Sequence, residues 1–61
     1  MPEVIVEIAQ GRSVDQKRAL VKEITDAVVR TCGVSADAVT VIIHENPLTD
    51  KGKGGVLFSE R

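Results

Sequence analysis

The chain opens Met1-Pro2, and a run of strand-forming residues starts at once with Glu3. Removal of Met1, usual before a residue as small as proline, turns Pro2 into an N-terminal secondary amine, and such an amine can serve as a base. An ordinary α-amino group titrates at about 7.7–8.0, and partial enclosure or a neighbouring cation lowers that value by disfavouring the charged form. A base poised near neutrality is suited to moving protons to and from carbon. Standing alone, Pro2 reads more simply as the first residue of a strand, where a missing N–H costs nothing.

Arg12 is the second residue with chemistry to offer. A planar guanidinium grips a carboxylate through two parallel hydrogen bonds, and its charge disfavours protonation of a nearby amine. Alone, it reads as a solvated turn residue. Lys51 and Lys53 could each supply an ammonium point charge, but in a glycine-rich loop they read first as solvent-facing. His44, the one imidazole, could titrate near neutrality. No second ligand stands at metal spacing, so a structural or solvated role is expected for it, outside the site. Cys32 is alone, closes no intrachain disulfide, and is expected as a small buried residue near a helix end.

The elements that must position these residues are legible from periodicity. Glu3–Ala9 alternates, with Val4, Val6 and Ile8 on one face and Glu3, Ile5 and Glu7 on the other, which predicts a strand. Gly11-Arg12 makes a turn, and Ser13 with Gln16 matches a capping box at a helix start. Leu20, Ile24, Ala27, Val28 and Thr31 then recur at helical spacing, and Gly33 stands where a left-handed cap belongs. A helix over Val14–Cys32 follows. Ser35 could cap a short turn before a second strand over Val39–His44. A strand, a long helical connection and another strand imply a right-handed crossover and a parallel pair. Gly52–Gly55 gives a hairpin-like stretch before Val56-Leu57-Phe58, a segment expected to cover a neighbouring subunit.

Sixty-one residues make one domain, 1–61, and a chain this short buries only roughly 60% of the surface it exposes when unfolded. With neither a disulfide nor a zinc site to staple it, self-association is the expected remedy. A net charge of −1 with both signs interspersed speaks against nucleic-acid and anionic-membrane partners. There is no signal-like start and no apolar run of bilayer length, so a soluble cytoplasmic protein is the expectation.

Taken in order, Pro2 after Met1, Gly11-Arg12-Ser13 with Gln16-Lys17, the Val41-Ile42-Ile43 strand with Glu45 after it, and Gly52-x-Gly54-Gly55 resemble the 4-oxalocrotonate tautomerase family over essentially the whole chain. The resemblance implies an α/β fold of the α+β kind: a β-α-β protomer with a C-terminal hairpin, pairing into dimers and then a homohexamer. It implies a mature chain starting at Pro2, which acts as general base and acid in a 1,3 or 1,5 proton shift on a small enol or unsaturated 2-oxo acid. No cofactor is implied. Arg12 matches an arginine that reaches a substrate carboxylate, usually at another subunit's site.

Departures from the family pattern matter too. Members that handle 2-hydroxymuconate-type dicarboxylates carry a second arginine where this chain has Thr40, and a pocket aromatic where it has Lys51. Loss of such a cation removes an electrostatic contribution that can reach about 3 kcal/mol. Lys51 is the candidate to replace that charge. Related chloroacrylate dehalogenases need a water-activating carboxylate near Lys53, so that branch matches poorly. Thr40 and Lys51 also leave open a non-catalytic self-assembling domain that keeps the fold.

Overall fold

The computed structural model describes all residues from Met1 to Arg61. Strand β1 (Glu3–Ala9) leads through a tight turn into helix α1 (Val14–Cys32), and strand β2 (Thr40–Asn46) returns parallel to β1. A hairpin of two short antiparallel strands, β3 (Gly52–Lys53) and β4 (Val56–Leu57), forms a separate two-stranded sheet. Single 3-10 turns lie at Ala36–Ala38, Leu48–Asp50 and Phe58–Glu60.

Helix α1 starts and stops where its end residues dictate. The Ser13 hydroxyl accepts from the Gln16 N–H at 3.1 Å, and Gln16 Oε1 accepts from the Ser13 N–H at 2.9 Å, completing the predicted capping box. At the far end Gly33 adopts φ +69°, and its N–H closes onto the Val29 carbonyl at 3.1 Å. A side chain resists that left-handed conformation, so glycine belongs there. Ser13→Ala removes one half of the box and is expected to cost about 1 kcal/mol. The check is a urea unfolding midpoint measured at fixed protein concentration; an unchanged midpoint would show that the cap is redundant.

The two long strands pair residue for residue, from Glu3 opposite Thr40 to Ala9 opposite Asn46. Val4, Val6 and Ile8 of β1 are half-buried on the helix side, while Glu3, Ile5 and Glu7 face away and stay exposed, as the alternation predicts. The Lys17 ammonium pairs with the Glu45 carboxylate, tying the first turns of α1 to the end of β2. Strand β2 starts one residue later and ends two residues later than its sequence pattern suggests. Val39 is held by the preceding turn through an N–H bond to the Ala36 carbonyl at 3.1 Å, and pairing with Ile8 and Ala9 of β1 draws Glu45 and Asn46 into the ladder. Ser35 precedes the turn at Ala36–Ala38 but makes no side-chain cap.

Cys32 is exposed, against the expectation of burial. A 19-residue helix is about 28 Å long, whereas a seven-residue strand spans about 23 Å. The helix is therefore longer than the sheet beneath it, and Val14, Thr31 and Cys32 at its ends are exposed. The Thr31 hydroxyl turns back to donate to the Ala27 carbonyl at 2.7 Å.

No residue of the isolated chain is buried, and Ile5 remains 56% exposed on the face of the sheet opposite the helix. The chain measures 42 × 24 × 14 Å, with a radius of gyration of 14.6 Å. A compact domain of this length would have about 10.5 Å. One layer of helix on a two-stranded sheet is thus a half-structure, with one face of the sheet and both of its edges uncovered.

Candidate active site

Pro2 and Arg12 flank β1 at opposite ends. Pro2 stands just before the strand, half-buried, and its carbonyl accepts from the Thr40 N–H at 3.0 Å. Its nitrogen takes no part in the ladder and carries only Met1, which is 98% exposed. Thr40 therefore sits beside Pro2 in the same chain. A threonine hydroxyl offers that neighbourhood a neutral donor and no charge.

Arg12 lies beyond the other end, after a turn in which Gly11 takes φ +122°, a conformation that glycine alone adopts easily. The turn folds the guanidinium back so that Nη1 donates to the Ala9 carbonyl at 3.0 Å. Alternate peptide groups of a strand point to opposite edges. Bonds from Thr40 N–H to the Pro2 carbonyl and from Gln10 N–H to the Asn46 carbonyl fix the even-numbered groups of β1 toward β2. The Ala9 carbonyl hence points to the free outer edge, and Arg12 guards that edge with its remaining donors exposed. Across the roughly 23 Å of β1, one chain cannot bring its own Arg12 to its own Pro2.

Lys51 leaves the same end of the sheet as Arg12, beyond β2 and the turn Leu48–Asp50. It is half-buried, with Nζ 5.2 Å from the centre of the Phe58 ring, whereas Lys53 is exposed in the hairpin. The predicted site residues thus lie apart: Pro2 before the start of β1, Arg12 after its end, and Lys51 after the end of β2. The single chain encloses no pocket between them.

His44, expected in a structural or solvated role outside the site, joins a charged cluster with Glu7. On the open sheet face Glu7 Oε2 lies 2.8 Å from His44 Nδ1, and Asn46 Nδ2 donates to Glu7 Oε1 at 3.1 Å. Only the parallel register, which sets Glu7 directly opposite His44, reveals the cluster. The Asn46 hydrogen bond first, then that from His44, holds the Glu7 carboxyl below its ordinary value of 4.5, and the Lys51 charge adds to the effect. A carboxyl lowered by folding stabilises the fold fully above its ordinary value and stops doing so as pH falls through the lowered one. Stability is therefore expected to drop on acidification below about pH 4.5, and Glu7→Gln to flatten that decline. An equally steep acid limb in the variant, followed by urea midpoints, would assign the loss to other carboxylates.

A sequence model described as tautomerase enzyme matches residues 2–61 of this chain. The chain belongs to the tautomerase family. It is 49% identical to a probable tautomerase of Bradyrhizobium diazoefficiens over all of this chain and 91% of that protein. It is 43% identical to a probable tautomerase of Listeria innocua, over 98% of each chain. Among solved structures, a homologue of 4-oxalocrotonate tautomerase superposes with a TM-score of 0.93 at 35% identity, covering 98% of both chains. A second such homologue, from the tomaymycin biosynthetic pathway, superposes at 0.94 with 35% identity over 98% of this chain and 92% of that one. The β-α-β protomer with its C-terminal hairpin is accordingly the family fold. No helix of the chain is long and apolar enough to cross a membrane.

Proposed function

We propose that this chain is a cofactor-independent tautomerase that carries out a 1,3 or 1,5 proton shift on a small enol or unsaturated 2-oxo acid. Loss of Met1 frees the Pro2 nitrogen. Its lone pair takes a proton from one end of the conjugated system, the π electrons shift, and the protonated ring returns the proton at the other end. Arg12, with Lys51 beside it, holds a substrate carboxylate and so fixes which atom faces the base. With Thr40 beside Pro2, monocarboxylates are favoured over dicarboxylates that need a second guanidinium.

The observation that carries this reading is the placement of Pro2 and Arg12 at opposite ends of a strand whose outer edge is free, in a chain matched over residues 2–61 by the tautomerase enzyme family. An antiparallel second copy along that edge would set the Arg12 end of one chain against the Pro2 end of the other. Such pairing would also cap the exposed peptide groups and widen the sheet to four strands, which two strands alone make only marginally stable. Further association would cover the face that exposes Ile5, with the hairpin reaching a neighbouring copy. A homohexamer built from such dimers, working in the cytoplasm, is the assembly we infer.

The test is loss of enol absorbance for an arylpyruvate enol and a small panel of mono- and dicarboxylate enols, using protein whose intact mass shows that Met1 is gone. Catalysed ketonisation of the monocarboxylates is expected. No acceleration for any member of the panel would favour the non-catalytic assembly that Thr40 and Lys51 leave open.

A further inference from the structure

Phe58 is the one aromatic residue of the chain, and both of its cationic neighbours lie at ring-contact distance. Lys51 Nζ is 5.2 Å and the Arg61 guanidinium carbon 5.6 Å from the ring centre. The backbone joins the same pair, since the Phe58 N–H donates to the Lys51 carbonyl at 2.9 Å. A lysine side chain on a loop ordinarily samples many rotamers, and immobilising it costs entropy each time it must meet a ligand. Here the alkyl stem is half-buried and the ammonium is drawn toward the negative face of a ring. Lys53, two residues on, has no such partner and is fully in the exposed hairpin.

We propose that Phe58 is a positioning residue, whose ring holds the Lys51 ammonium in place as the second cation, beside Arg12, for the substrate carboxylate. This rests on the tautomerase reading above and adds the group that makes Lys51 usable. The ammonium lies over the Phe58 ring at 5.2 Å, so its place is set by the hairpin segment and not by solvent alone. Arg61 contributes by occupying the same ring, which keeps the turn Phe58–Glu60 folded against the Lys51 segment. A chain with threonine at position 40 thus draws its second positive charge from the other end of the sheet.

Phe58→Leu keeps an apolar side chain and removes the ring face; Phe58→Tyr restores the ring. In the native protein the Lys51 ε-methylene proton resonances are expected upfield of free lysine, through the ring current, and at the free-lysine position in Phe58→Leu. The dissociation constant of phenylpyruvate, measured by calorimetry, is expected to rise roughly two- to fivefold in Phe58→Leu, the factor an exposed cation–π contact of this kind supports, and to return in Phe58→Tyr. Lys51→Ala should weaken binding at least as much as Phe58→Leu, and the double variant should bind no more weakly than Lys51→Ala. Unshifted Lys51 resonances, an unchanged dissociation constant in Phe58→Leu, or no binding of phenylpyruvate would each overturn the proposal. Failure of the proline-base reading looks different: turnover is absent or insensitive to Pro2→Ala, while the Lys51 and Phe58 effects on binding persist.

Discussion

In protein lacking Met1, Pro2→Ala is expected to slow enol-to-keto conversion by about 10²-fold or more, the usual size of a general-base contribution, without disturbing assembly. The structure makes this an unusually clean substitution. Pro2 contributes to the sheet only its carbonyl, which accepts from Thr40 N–H at 3.0 Å, and alanine supplies the same carbonyl. The proline nitrogen donates to no strand, so no ladder bond is lost. What changes is the reactive group. A secondary amine in a ring, fixed in direction by that ring, becomes a primary amine that rotates and is more heavily hydrated. The chain that keeps Met1 should be at least as inactive, because its Pro2 nitrogen is an amide with no basic lone pair. Rates for the mature, Met1-bearing and Pro2→Ala proteins, compared at equal protomer concentration, decide the matter. If the three agree, Pro2 is not the base.

How much of this was legible beforehand depended on whether a residue's role is local. The strand at Glu3–Ala9, the helix over Val14–Cys32 and its capping box follow from side-chain period and from hydrogen bonds made within three or four residues, and each stands where the sequence puts it. The end of β2 was not legible, because Glu45 and Asn46 are in the strand only through their pairing with Ile8 and Ala9. The exposure of Cys32 is not legible for a related reason. Its exposure depends on the helix being longer than the sheet beneath it, a relation between elements and not a property of either. The site divides in the same way. Pro2 and Arg12 announce themselves by residue type and neighbours. The Glu7–His44–Asn46 cluster needs the register, and the hold of Phe58 on Lys51 needs the hairpin to bring together residues seven apart.

Arg12→Ala is the second large effect expected, and it should fall on binding of carboxylate substrates. A hydrogen bond to a charged group is worth about 1.5–3 kcal/mol, so kcat/KM for a carboxylate enol should fall roughly 10- to 150-fold. The loss should appear mainly in KM, since the guanidinium grips a carboxylate that is charged in both ground and transition states. An uncharged ketone of similar shape should lose little. The fold should tolerate the change, because the one structural bond Arg12 makes, to the Ala9 carbonyl, lies at an exposed strand edge where water can replace it. Arg12→Lys should recover the charge but not the two-pronged grip, and so restore binding only in part. These outcomes separate two roles that the single chain leaves superimposed. If uncharged ketones and carboxylates suffer alike, Arg12 serves to organise the β1 edge against a neighbouring copy. If only carboxylates suffer, the residue at the far end of β1 completes a site whose base stands on another chain.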